Sequence, residues 1–231
     1  MHPGPSGARI PTGILAIAAA LALAAAGAKA AAPPIPPMPP AQAAPAVSAR
    51  IDGFRSARFG MSESAVRAAI AADFRLSGTA VQAGANPVQR TDLLRIRVGD
   101  LIPGGGTAQI DYIFGYRGHT LMEVNILWSA ATDPRLTPAQ LVANGAALQA
   151  YFQREGFAAD RTVRNAVLPD GNVLLFRTQD AEGHGVVLVL AGKRAKGAND
   201  QSSRLTPTAL TLAYAADPAH PDVFQLKNGA F

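Results

Sequence analysis

The 231-residue chain contains no cysteine, and this absence excludes three kinds of chemistry. Neither a thiol nucleophile nor a thiolate metal site can form. A lipoprotein anchor is excluded as well, because that anchor requires a cysteine at the cleavage site. If the chain is exported, it folds without disulfides, and its hydrophobic core alone must stabilise it.

Histidine is scarce, and the sequence has no Gly-x-Ser-x-Gly elbow to activate a serine. His119 and His184 fall at predicted hairpin turns, and His220 lies in a proline-containing tail. Two turn histidines could bind a metal if the turns met in space, although solvent-exposed turn positions are the preferred interpretation. We therefore predict no catalytic residue, no metal site and no cofactor.

Charged residues are also few, at 16% of the chain. Without Arg9 and Lys29, which precede the predicted cleavage site, 19 basic residues (21 − 2) oppose 16 acidic ones, a net charge of +3. Nucleic-acid binding needs a basic stripe with aromatic partners. The one basic cluster, Lys193, Arg194 and Lys196, is predicted to lie in a solvated loop, so no nucleic-acid partner is expected.

The first fifty residues are predicted to precede the folded domain. An apolar segment at residues 14–26, followed by Ala28-Lys29-Ala30, is typical of a signal peptide spanning residues 1–30. An uncleaved anchor is the alternative, but the apolar run is short for a permanent membrane span. Residues 31–50 are rich in proline and alanine and predict an extended linker. This pattern predicts a periplasmic or secreted protein.

Residues 51–231 are predicted to form one domain that contains two similar units and a C-terminal tail. In the first unit, about residues 51–130, Ser62 caps a helix that ends near Phe74. Residues 78–86 are a loop or a poor strand. Three alternating strands follow, at residues 92–101, 107–114 and 121–128, and their glycine turns predict an antiparallel meander.

The second unit, about residues 131–216, has clearer signals at its helix. Thr137, Pro138 and Gln140 form an N-cap, a first helical residue and a capping box. Strands are predicted at residues 161–167, 172–178, 186–191 and 206–214.

The two units are predicted to be a repeat. Their helix starts lie 75 residues apart (137 − 62), and the leucine pairs beginning at Leu93 and Leu174 lie 81 apart (174 − 93). Coincidence among low-complexity strands is the alternative. The repeat predicts an α+β fold of two tandem units, each a helix followed by an antiparallel β-meander, with the helices on one side of the sheet.

The start of the first helix, Gly60-Met61-Ser62 with Val66, resembles the Gly-Met-Thr/Ser helix start of small bacterial envelope modules. With the order of elements over residues 51–214, the chain resembles the beta-lactamase inhibitor protein-like (BLIP-like) group, to which those modules are related. The chain has Phe74-Arg75-Leu76-Ser77 where the modules have a Gly-x-Pro turn. The resemblance implies a tandem helix-plus-sheet fold that binds other proteins without catalysis.

In the first unit, strand alternation predicts that Arg95, Arg97, Asp111 and Glu123 share one sheet face that meets water. Asp111 and Glu123 would in principle suit a carboxylate pair for acid–base chemistry. A solvated ladder of opposite charges across the strands is the preferred interpretation. These four residues are candidates for contact with a partner.

In the second unit, residues 173–176 and 186–190 are apolar without alternation. Strands that are apolar on both sides must be covered on both sides or leave an exposed patch. One alternative is cover by the helices and by the tail around Phe224 and Phe231. The other is an open patch that binds a partner, with Leu174 and Phe176 as candidate contacts.

These patterns favour an exported, non-enzymatic binding protein of the bacterial-type cell envelope, which engages an envelope or secreted protein through a sheet face. After signal cleavage no transmembrane segment is expected. The alternative is a small-ligand carrier or a hydrolase with a site between the two repeats. An enclosed pocket with converging polar groups would favour that alternative, and an open sheet would favour the binding protein.

Overall fold

The computed structural model describes residues 49–195 and 204–226. The predicted signal peptide, most of the predicted linker, Lys196 and Phe231 lie outside these residues.

The described residues form a mixed α+β domain with two helices. The first part contains β1 (Gly53–Phe54), β2 (Ala57–Arg58), α1 (Glu63–Phe74), β3 (Gln82–Asn86), β4 (Thr91–Val98), β5 (Ala108–Phe114) and β6 (Leu121–Ser129). The second part contains α2 (Pro138–Arg154), β7 (Val163–Val167), β8 (Val173–Gln179), β9 (Gly185–Ala195) and β10 (Arg204–Ala215). Within the described ranges, neither helix has the length and apolar character needed to cross a membrane.

Both helices begin where the sequence predicts. The Ser62 hydroxyl accepts a hydrogen bond from the N–H of Ala65 at the start of α1. At the start of α2, Thr137 and Gln140 exchange both bonds of a capping box, and Pro138 is the first helical residue. These caps satisfy backbone N–H groups that have no partner inside the helix, so local sequence is enough to fix the helix starts.

Strands β3 to β10 form one antiparallel sheet, in the order β3-β4-β5-β6-β10-β9-β8-β7. The two parts of the domain meet at β6 and β10, which pair from Ala209↔Ser129 to Ala215↔Glu123. The two parts are therefore joined edge to edge by backbone hydrogen bonds of one continuous sheet.

Strand β3 lies within a segment that the sequence pattern left as a loop or a poor strand. It pairs with β4 in regular register, from Gln82↔Arg95 to Asn86↔Thr91. Its residues are small or polar and show no apolar alternation. Of the two alternatives for residues 78–86, the poor strand forms over Gln82–Asn86, because the neighbouring strand β4 supplies hydrogen bonds that intrinsic propensity does not predict.

The inner face of the sheet is the face that packs on the helices. One row of opposed side chains crosses six strands and is almost fully buried: Ile96, Ile110, Ile126, Leu212, Leu188 and Phe176. Val66 and Ile70 of α1 and Leu141 and Phe152 of α2 belong to the same hydrophobic cluster. This cluster is the core.

The C-terminal tail packs on the first part of the domain. The Asp222 carboxylate accepts hydrogen bonds from two backbone N–H groups of the β5–β6 turn. The Phe224 ring lies 5.6 Å from the Tyr116 ring, and the guanidinium of Arg90 lies 3.7 Å above it. The expected cover of the second unit by Phe224 is therefore wrong, because Asp222 directs the tail to the β5–β6 turn.

Candidate functional site

The outer face of the sheet is the face opposite the helices. Strand alternation and register place these residues on it: Leu93, Arg95, Arg97, Gln109, Asp111, Glu123, Asn125, Leu174, Arg177, Val187, Val189 and Ala213. Five of the six candidate contact residues from the sequence are among them, and Phe176 is not.

An ion pair organises the polar half of the outer face, on β4 to β6. Arg95 lies opposite Asp111 and donates two hydrogen bonds to its carboxylate, Nε to Oδ1 at 2.6 Å and Nη2 to Oδ2 at 2.5 Å. Gln109 donates a third. The hydrogen bonds that Arg95 donates to Asp111 raise the pKa of Arg95, and burial acts in the opposite direction. A bidentate pair fixes both side chains in one geometry.

Asp111 does not meet water, contrary to the sequence expectation. The residue is 4% exposed, and the Arg95 side chain is 18% exposed. Only Arg97 of the four predicted charged residues is exposed. Strand alternation predicted correctly that these residues share one face. It cannot predict how closely the side chains of neighbouring strands enclose Asp111. Asp111 is therefore the ion-pair partner of Arg95 and not one half of a proton-sharing carboxylate pair with Glu123.

Glu123 carries a largely enclosed carboxyl group near this ion pair. Burial raises its pKa, while a 2.7 Å hydrogen bond from Asn125 Nδ2 to Oε1 acts in the opposite direction. The Asn125 Oδ1 atom is buried and has no hydrogen-bond partner among the described residues. The centre of the polar half therefore contains acceptor groups, the Glu123 carboxyl and Asn125 Oδ1, whose loss of hydration is not fully offset by hydrogen bonds.

Replacing Glu123 with glutamine should raise the urea midpoint of unfolding at pH 7. The folded-state pKa of Glu123 lies above its ordinary value of about 4.3. The native state therefore favours the protonated carboxyl, and stability falls as the pH rises through the folded-state pKa. Glutamine keeps an acceptor for Asn125 without the charge. The gain should disappear below about pH 4, where Glu123 is protonated. The exposed change Glu182→Gln is the control, and a gain that persisted unchanged at acid pH would contradict the explanation.

On β8 to β10 the outer face is mostly apolar, and this apolar half includes Leu174, Val187, Val189 and Ala213, with Arg177 opposite Val187. Leu174, Val189 and Ala213 are buried, yet none belongs to the core cluster, and Val187 is partly exposed. In the described part of the chain, both helices contribute to the core on the inner face. The apolar half is therefore a second, largely buried apolar region, separate from the core, and the candidate contact residue Leu174 is not exposed.

Phe176 belongs to the core, so its assignment as a partner contact is wrong. It is 1% exposed, and its ring stacks on Phe152 of α2 at 5.4 Å. The β8–β9 register shifts between Leu174 and Phe176, and the Leu175 side chain lies against Gly145 of α2. This irregularity turns Leu175 and Phe176 inward together, which explains the apolar run without alternation.

Two cavities lie at strand ends. One, of about 200 Å³, is lined by residues including Phe157, Arg161 and Asp180. The other, of about 300 Å³, includes Asp133 and Arg135. Backbone N–H groups of Arg135 and Thr107 lower the pKa of Asp133 to about 2. An acid that stays ionised at neutral pH is poorly suited to proton transfer there.

The turn histidines occupy separate environments. His184 Nδ1 lies 3.3 Å from Asp180 Oδ2, and the His184 ring lies 5.2 Å from the ring of Phe59. His119 is exposed in the β5–β6 turn. In residues 49–195 and 204–226, no group of three or more histidine or acidic side chains is placed to hold a metal ion.

Sequence reasoning missed Val187, Val189 and Ala213 as outer-face residues; alternation in the third strand placed Asn125 on the same face as Glu123, but Asn125 was not named as a candidate site residue. The register of β6, β9 and β10 reveals them. In β9 the signal was weak, because Val187 and Val189 alternate with equally apolar inner residues.

Comparison of the chain with protein-family models, with curated proteins and with solved structures found no match.

Proposed function

We propose that this chain is an exported, non-enzymatic binding protein that engages a protein partner through the outer face of its sheet. The supporting observation is that this face carries an exposed charge, Arg97, and a partly exposed apolar side chain, Val187, on strands whose other face packs on the helices. An apolar surface beside a charged one is the usual composition of a protein-binding surface.

The two halves of the face have different roles in this proposal. In the apolar half Val187 supplies binding free energy, because it is partly exposed whereas Leu174, Val189 and Ala213 are already buried. Full burial of an exposed large apolar side chain is worth about 1.5–3 kcal/mol, and Val187 can contribute part of this. In the polar half, the bidentate Arg95–Asp111 pair holds its geometry before binding, which reduces the entropy lost on association. The exposed Arg97 is suited to the rim, where charge favours specificity over affinity.

A tandem repeat of the BLIP-like kind would explain how this face is built. A helix followed by four strands occurs twice along the chain. The sheet order brings the last strands of the two halves, β6 and β10, side by side, so β3 and β7 lie at opposite edges. Both features support a repeat whose two units together make one wide face.

The N-terminal sequence supports export to the periplasm or the medium. The apolar run at residues 14–26 and the Ala28-Lys29-Ala30 site are typical of a cleaved signal peptide. The partner would then be another protein of the cell envelope or a secreted protein.

The test compares partner capture by the wild-type protein with capture by two outer-face variants, Val187→Asp and Arg97→Glu. Bait purified from an envelope fraction should begin at Ala31 or within a residue or two of it. A protein enriched by wild type should be lost with Val187→Asp, because a charge in the apolar half must be desolvated on binding. Binding of the purified partner is then measured by calorimetry.

Val142→Asp, on the exposed side of α2, is the matched control and should retain capture. All variants should keep melting temperatures close to wild type. If both outer-face variants bind the partner as wild type does, the outer face is not the binding surface. A mature N-terminus at Met1 on cytoplasmic protein would exclude export.

A further inference from the structure

Among the residues that the structure describes, strand β3 forms an open edge of the eight-stranded sheet. Its one neighbour within that part of the chain is β4, with which it pairs over all five residues without a register shift. Gln82, Ala83 and Ala85 are exposed. The N–H and C=O groups on the free side of such a strand can pair with another strand.

The opposite edge, β7, is protected in ways that β3 is not. Asn165 has a positive φ of 52° and interrupts the pairing of β7 with β8. The side chain of Gln149 from α2 bonds to the Asn165 side chain, and Arg164 places an exposed charge on the strand. Bulges and charges are the usual protection of edge strands. Strand β3 has no charge, no proline and no bulge.

We propose that β3 pairs with β3 of a second copy of this chain, antiparallel, about a two-fold axis at Gly84. This register places Gln82 opposite Asn86, and Ala83 opposite Ala85, of the other copy. No residue from 76 to 89 is charged, so no like charges meet along the seam. The small side chains of Ala83, Gly84 and Ala85 let the two backbones approach.

The dimer is a weak one. Five residues per copy bury much less than the roughly 1,200 Å² typical of stable complexes, and backbone hydrogen bonds supply most of the contact. The pairing leaves the outer face free, so it is independent of the proposed partner binding.

The first experiment uses the absence of native cysteine. In the mature chain, Gly84→Cys should give a disulfide-linked dimer on mild oxidation. Residues directly opposite in antiparallel strands have Cα atoms about 4.5–5.5 Å apart, within the range of disulfides. Val167→Cys, on the β7 edge and more exposed than Gly84, is the control and should nevertheless cross-link at least tenfold more slowly. Equal rates for the two variants would overturn the proposal.

A charge-swap experiment tests the register. A83K/A85K places lysines directly opposite each other and should be monomeric in sedimentation equilibrium at concentrations where wild type dimerises. A83E/A85E should be monomeric for the same reason. Mixing the two should restore a heterodimer, because each lysine then meets a glutamate. Wild type that stays monomeric at millimolar concentration, or a mixture that stays monomeric while wild type dimerises, would refute β3 self-pairing.

Discussion

Replacing Phe176 with alanine should lower the free energy of unfolding by about 3–5 kcal/mol. The ring is buried between Phe152 of α2 and Phe157, at centroid distances of 5.4 and 6.3 Å. Alanine would leave a cavity where a helix packs on the sheet, and the surrounding rings cannot fill it without moving α2. Urea denaturation followed through the single, buried Trp128 gives the measurement.

Val167→Ala is the control for this change. Val167 is 66% exposed on the β7 edge, so its truncation should change stability by no more than about 0.5 kcal/mol. A Phe176→Ala protein that was as stable as wild type but had lost its partner would show that Phe176 is a contact residue after all.

Replacing Arg95 with alanine should lower the free energy of unfolding by about 3 kcal/mol, near the lower limit for breaking a buried ion pair. The loss arises because the enclosed Asp111 side chain loses both hydrogen bonds from its ion-pair partner. Because Arg95 is partly exposed, solvent screens the ion pair, and the expected loss of unfolding free energy stays near this lower limit. The measurement is again urea denaturation at pH 7.

Arg97→Ala is the matched control, because Arg97 lies on the same strand and the same face but is exposed. Its effect should stay within about 0.5 kcal/mol. The double variant Arg95→Ala/Asp111→Ala should be less destabilised than the sum of the two single variants, since it leaves no unpaired buried charge. Equal losses for Arg95→Ala and Arg97→Ala would contradict the assigned role of the pair.

Local chemistry determined the helix starts and most of the strands. The hydroxyl groups of Ser62 and Thr137 accept backbone hydrogen bonds within three residues of themselves, so no other part of the chain is needed. Alternation in β4 to β6 likewise placed Arg95, Asp111 and Glu123 on one face, because side chains of a strand point alternately to its two sides. These features depend on neighbours in sequence.

Long-range contacts determined the features of the sheet that the sequence pattern did not predict. Pairing with β4 made a strand of the uncharged residues Gln82 to Asn86, and the junction of β6 with β10 set the extent of the sheet. The irregularity in β8 turned Phe176 into the core and left Leu174 on the outer face. Each depends on hydrogen bonds between distant segments, and the burial of Asp111 depends on the side chains that those segments bring beside it. The sequence alone therefore determined most of the elements and their faces, whereas long-range pairing decided which residues are buried in the core.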